Sequence, residues 1–382
     1  MLRSRHLRAR YREALGVTQD QKLVAISTTW WKRSLLGSWP SLYRELISCL
    51  PSDEYRFAGL IHPNISYGHG PWQVQTWLAD CTRAGLVIAA QVDGWAATLI
   101  ASDLVVGDHG AVTCYGAALG VPTLLASFPD EDVAAGSAVE LLGRLAPRLN
   151  RHQTLSAQVR AAIAKHEPDR FAGVRELVSS WPGEAAVRLR RLCYEHLDLA
   201  EPDGEPPVLA LPVESMSALS RPSVRADHVV CTIDDPIGGI ATITRYPADV
   251  STDRATAGFL DSAHLVVHED HPKRALLDEA TVVLVTCASG DDPDERTADA
   301  LRQFPGAALA AAVSTASCLV RTRDGARITL HCAEPAVAAS LIRVWTLASR
   351  AVTALPATVT VSMGSRQVSV RTGSVAMVES IA

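Results

Sequence analysis

Five short apolar runs punctuate the first 150 residues, with room for one helix between most neighbours. They are KLVAIST (22–28), YRFAGLI (55–61), LVIAA (86–90), DLVVG (103–107) and PTLLASF (122–128). Runs this short and this uniformly apolar predict strands covered on both faces. The intervening stretches have helical spacing. SLYRELISCL stops before Pro51, PWQVQTWLADCTRAG opens on Pro71 and closes on Gly85, and GWAATLIAS and AVTCYGAALG follow. Strands alternating with helices in this way predict an α/β unit built on a Rossmann-like, doubly wound parallel sheet.

The pattern then changes twice. Residues 138–200 read as helices only, and EPDGEPPVLALPVES to SRPS is a proline- and acid-bearing linker. Beyond it HVVCTID, GIATITRYP, HLVVHED and TVVLVTCAS read as strands, with DERTADALRQF and AVAASLIRVWTLASRAV as helices. SCLVRTRDGARITLHC, turning on Asp324-Gly325, and TVTVSMGSRQVSVRTG read as hairpins. The expected organisation is a basic linker helix (1–20), a nucleotide-binding Rossmann-like domain (21–150), a helical extension (151–200), a linker (201–226) and a mostly antiparallel α+β domain (227–382) to which no role is assigned.

Composition narrows the classes. A chain of 382 residues with 48% hydrophobic and 20% charged residues is globular. Its net charge of −5 argues against a nucleic-acid partner. No apolar run approaches the roughly 20 residues that span a bilayer. The arginine-rich start, MLRSRHLRARYREALG, lacks the apolar core of a secretory signal. The eight cysteines are scattered without a C-x-x-C pair, which reads as buried thiols in a reducing cytoplasm. Membrane contact is expected to be peripheral at most, through the N-terminal arginines.

Candidate chemistry gathers at three polar strand ends: Ser27-Thr28-Thr29, His62-Pro63-Asn64 and Gly107-Asp108-His109-Gly110. In a doubly wound sheet, ligands bind beyond the carboxyl ends of the strands, where helix N-termini favour phosphate. Thr113, one turn into the following helix, offers a hydroxyl. Each residue also has a plainer reading. Asp108 caps a helix, His62 is a hydrogen-bonded strand-end histidine, and Thr28 and Thr29 shape a turn. Trp30 and Trp31 are expected to shield the sheet edge. Asp130-Glu131-Asp132 reads as a solvated acidic loop, and His264, His268 and His271 as a charged strand end; no metal site is expected.

The stretch SDLVVGDHGAVTCYGAALGVPTLLASFPDED resembles the donor-binding, C-terminal half of GT-B glycosyltransferases. The preceding VAISTTW and GLIHPN are more similar to the CDP-glycerol glycerophosphotransferases. The resemblance covers about residues 20–150. It implies half of a GT-B fold, with His62 assisting at the transferred phosphate or hydroxyl. Ser27, Thr28, Thr29, Asp108, His109, Gly110 and Thr113 would line a nucleotide diphosphate, and Asp130 and Glu131 would reach the donor group. No cofactor is implied beyond a CDP- or UDP-activated donor. Sugar-transferring relatives place an acidic residue where this chain has Gly116, and glycerophosphotransferases place paired serines at Gly110-Ala111. The N-terminal half of such an enzyme precedes the basic helix at which this chain begins. It is therefore expected on a separate acceptor-domain protein or a second copy, or is cut off by a misplaced start, or is lost from a protein that only binds.

Two other classes stay open: a non-catalytic scaffold with a degenerate half-domain, and a nucleotide-sugar epimerase. The order TTW…HPN…GDHG also resembles actinobacterial proteins, some labelled translation initiation factor 2. A translational GTPase needs G-x-x-x-x-G-K-[ST], and none of Lys22, Lys32, Lys165 or Lys273 follows a glycine.

Overall fold

The computed structural model describes residues 1–90, 92, 94–213, 226–250, 262–378 and 380–381. They form two compact units. The first comprises residues 1–43, 56–82 and 86–221, and the second residues 44–55, 83–85 and 222–382. Among the described residues, no helix is long and apolar enough to cross a membrane.

The first unit holds a five-stranded, Rossmann-like sheet in the order β3-β2-β1-β4-β5. Its strands are β1 (Lys22–Thr28), β2 (Tyr55–Ile61), β3 (Val87–Ile88), β4 (Leu104–Gly107) and β5 (Thr123–Leu125). β1 pairs with β4 in parallel through Val24–Leu104, Ala25–Val105 and Ile26–Val106. Every residue of β4 is buried, as is β1 after Lys22, because helices cover both faces. The chain order turns back at β1 and β4, so the crevice beyond their carboxyl ends is the switch point of the sheet.

Two details depart from the sequence pattern. PWQVQTWLADCTRAG is two helices, Pro71–Trp77 and Ala79–Arg83, with a further helix, Pro63–His69, before them. LVIAA contributes only two strand residues. Of the N-terminal arginines, Arg5, Arg8 and Arg12 are engaged within the unit. Arg12 Nη1 pairs with Asp103 Oδ2 at 2.7 Å, and Arg8 Nη2 with Asp103 Oδ1 at 2.8 Å. Arg5 donates to the Leu119 carbonyl. Arg12 Nη1 also donates to the Ala101 carbonyl at 3.1 Å and Arg8 Nη1 to the Ser102 carbonyl at 2.9 Å, at the carboxyl end of the helix Gly94–Ala101, where cations are favoured. The described start of the linker also lies on this unit, where Tyr11 Oη donates to the Leu211 carbonyl at 2.8 Å. Residues 214–225 of the expected linker lie outside the described residues.

The second unit is strand-rich and closes on itself as a nine-stranded barrel, β10-β11-β12-β14-β13-β7-β6-β8-β9. The strands are β6 (Ala226–Asp235), β7 (Ile240–Pro247), β8 (Ala263–His268), β9 (Val282–Thr286), β10 (Leu309–Val313), β11 (Ser317–Thr322), β12 (Ala326–His331), β13 (Thr358–Met363) and β14 (Arg366–Met377). Both expected hairpins are present, with left-handed Gly325 and Gly364 in their turns. Most pairs are antiparallel, but β8–β9, β9–β10 and β7–β13 run parallel. Alternation along the strands sorts two cores. Leu309 and Ala311 join the helix Pro335–Leu347 in one, and Ala310 and Ala312 pack under the helix Pro293–Gln303 in the other. The first core draws on all nine strands, so the helix lies on the inner side of the barrel and fills it. Of the eight cysteines, five are buried and Cys193 is exposed.

Candidate functional site

β1 and β4 deliver their polar ends side by side, and Asp108 ties them together. Its Oδ2 accepts the amides of Thr29 and Leu35, each at 2.8 Å, and its Oδ1 accepts the Gly110 amide at 3.0 Å. The side chain is fully buried. Burial pushes its carboxyl above the ordinary range, and the three amide donors oppose that rise. Asp108 therefore shapes the corner from beneath and offers no carboxylate to a ligand. Thr28 Oγ1 extends the clamp, accepting the Leu36 amide and donating to the Thr29 carbonyl.

His62 sits at the end of β2, where its own amide donates to the Thr28 carbonyl. It caps the helix Pro63–His69 with Nδ1, which accepts the Asn64 amide at 3.1 Å. That bond leaves the proton of the neutral ring on Nε2, making Nε2 a donor. The ring lies over Trp30, with centroids 6.4 Å apart and planes 29° apart.

These ends enclose a cavity of about 300 Å³ that includes Ser27, Thr28, Thr29, His62, Trp95 and Gly110 in its walls. Five of the residues singled out from the sequence thus meet in one place. Trp95 was not among them, because its helix reads as a plain apolar segment. Four others lie elsewhere. Thr113 is fully buried against β4, and its Oγ1 has no hydrogen-bond partner. A Cβ at Gly107 would stand 2.2 Å from that oxygen. The His109 ring turns edge-on to Phe128 at 6.5 Å. Asp130 pairs with Arg148, and Glu131 with Arg33, so the acidic loop is charge-matched at the surface. Gly116 packs so tightly that a Cβ there would come within 2.8 Å of Val105 Cγ2, and no acidic side chain fits.

Trp30 and Trp31 are 44% and 71% exposed. Trp31 holds a φ of +92°, outside the range of ordinary bulky residues. Such a conformation costs about 1–3 kcal/mol. Gly37 makes it possible, since a Cβ there would stand 2.5 Å from the Trp31 carbonyl oxygen. The loop forms one wall of a second, larger cleft of about 770 Å³.

In the second unit, His268 and His271 are hydrogen-bonded separately, while the buried Nε2 of His264 has no hydrogen-bond partner. His271 Nε2 bonds Asp249 Oδ2 at 3.0 Å, and His268 bonds Asp270 and Thr286. Burial, reinforced by the Arg343 guanidinium, pushes His264 down to about 4.

Fold and site together define a two-unit α/β protein: a Rossmann-like parallel sheet with a switch-point cavity, and a strand-rich barrel. No family model and no curated protein sequence matches the chain. Among solved structures, parts of it are similar to the wall teichoic acid polymerase TagF (TM-score 0.35, 14% identity, 50% of this chain and 47% of that one). Sucrose-phosphate synthase of Thermosynechococcus elongatus (0.32, 14%, 50% and 49%) and the calicheamicin glycosyltransferase CalG4 (0.30, 16%, 48% and 44%) are similar to a comparable degree. The chain spans just under half the length of each of these proteins. Likenesses of this size carry no argument about what the chain binds or does.

Proposed function

We propose that the first unit binds a nucleotide-diphosphate donor, CDP- or UDP-activated, at the switch-point cavity. On this reading it serves a GT-B-type transfer of a glycosyl or polyol-phosphate group. The observation that carries the reading is the donor character of the walls. Ser27 and Thr29 bring hydroxyls, His62 is an Nε2–H donor, and the helix Ala111–Ala118 starts at the cavity. Among the described residues, no carboxylate lines it. Such a lining suits an anion. With Nδ1 held by the Asn64 amide, His62 would stabilise phosphate charge by hydrogen bonding; taking up a proton there would require that bond to open.

A binding-only protein is the second reading. It is favoured by the sparse chemistry of the cavity, where His62 is the one titratable side chain in the described walls. The glycine at position 116 does not favour it, because packing against Val105 dictates that residue.

Calorimetric titration with CDP, UDP, GDP and CDP-glycerol tests the proposal. At a hundred times its dissociation constant, a true ligand adds about 2.7 kcal/mol to stability. His62→Asn keeps a capping side chain and removes the Nε2 donor, so it should weaken diphosphate binding about tenfold with little change in melting temperature. Absence of binding by any diphosphate at millimolar concentration would overturn the proposal.

A further inference from the structure

The larger cleft lies between the loop 30–37 and the two helices Pro63–His69 and Pro71–Trp77. Aromatic rings dominate its walls: Trp30, Trp31, Tyr67 and Trp77, with Lys32, Asn64 and His69 between them. Tyr67 is 81% exposed, more than Trp31, and the neighbouring Trp72 is exposed as well. Large exposed aromatic surface carries a hydration cost, and single exposed rings are common, but a cluster in a concave site marks a binding surface.

Three features specify what it holds. Trp31 keeps its strained backbone while its ring remains largely in solvent, so the folded chain gains no burial in return. Strain of that kind points to a ring presented to a ligand. The rings also meet edge-to-face: Trp30 and Trp31 at 5.4 Å and 75°, His69 and Trp77 at 4.9 Å and 63°. Perpendicular pairs form corners, whereas a planar base is best held in a slot between parallel rings. A corner suits a puckered sugar ring, which lays its C–H face on one aromatic ring and turns its hydroxyls toward polar neighbours. Charge is the third feature. Among the described residues, no carboxylate lines the cleft, while Lys32 stands exposed in it.

We propose that this cleft is a saccharide site selective for an anionic sugar, a ring bearing a phosphate, with Trp31 and Tyr67 as stacking faces and Lys32 as the anion contact. The assignment goes beyond the donor reading and does not depend on what occupies the switch-point cavity. A quaternary ammonium ligand, the other common guest of aromatic clusters, is disfavoured by Lys32.

The test titrates the whole chain with glucose 6-phosphate, glucose, inorganic phosphate and AMP, read by tryptophan fluorescence and saturation-transfer NMR. Saturable binding of glucose 6-phosphate, tighter than glucose or phosphate alone, is expected. Trp31→Gly should weaken it at least about tenfold while raising the melting temperature, because glycine adopts the positive φ without strain. Tyr67→Ala should weaken glucose and glucose 6-phosphate alike, and Lys32→Ala should weaken only the phosphorylated sugar. Three results overturn the proposal: no saturable binding of glucose 6-phosphate, unchanged binding in Trp31→Gly, or tighter Trp31-dependent binding of AMP. A concentration-dependent dimer in sedimentation that Trp31→Gly abolishes would overturn it too, assigning the cleft to self-association.

Discussion

The Leu35 amide donates to Asp108 Oδ2 at 2.8 Å, across 73 positions of sequence, and this bond closes the β1 loop onto the end of β4. The same oxygen takes the Thr29 amide, and its twin takes that of Gly110. Asp108→Ala strands these three buried or half-buried donors. It should destabilise the protein by roughly 3–5 kcal/mol in denaturant unfolding, with or without nucleotide. A change no larger than that of an ordinary surface substitution would show that the carboxylate does not hold the corner.

Gly107 and Thr113 make a second relationship that can be measured as a pair. Gly107→Ala drives a Cβ into the Thr113 hydroxyl and should cost about 2–4 kcal/mol. Thr113→Val removes a buried oxygen that has no partner and should stabilise by up to about 1 kcal/mol. In a double-mutant cycle, Thr113→Ala should recover most of the loss caused by Gly107→Ala. If Thr113→Val instead weakens diphosphate binding at unchanged stability, its hydroxyl reaches the ligand.

In the second unit, burial pushes the Asp227 carboxyl up to about 7; Arg245 opposes the rise, and Asp53 and Asp249 reinforce it. An unfolded aspartate titrates near 3.9. Between those values the folded chain holds a proton that the unfolded chain lacks. The contribution is therefore complete below the unfolded value and is lost as pH rises through about 7. Stability of this unit should fall by roughly 2 kcal/mol between about pH 5 and pH 8. Asp227→Asn should flatten that slope. Hydrogen exchange of the β6 and β7 amides at the two pH values gives the readout, and an unaltered slope in the variant would assign it to another group.

The helix inside the barrel offers a packing test. Leu341 is fully buried in it, and Leu347 at its end is 57% exposed. Leu341→Ala should cost about 2–5 kcal/mol, and Leu347→Ala less than about 1 kcal/mol. Equal effects would mean that the helix does not fill the barrel.

The alternation of apolar runs and helical spacing was enough to place the strands of the parallel sheet, because a strand buried on both faces must be apolar throughout. It also located the corner at Gly107–Gly110, where an apolar run ends on polar residues, and both C-terminal hairpins, since left-handed turns select glycine locally. Closure of the barrel was not legible. Parallel pairs such as Val282–Leu309 join residues far apart in sequence, and an apolar helix reads the same whether it lies inside a barrel or outside it. The site divides in the same way. Which polar residues cluster at the strand ends follows from local sequence. Which of them face the cavity depends on packing across the sheet: Asp108 and Thr113 turn inward because backbone amides and Gly107 leave them space there, while Ser27, Thr29 and His62 remain in the cavity wall. The exposure of Trp31 was likewise decided in three dimensions, by a backbone crossing that only Gly37 permits.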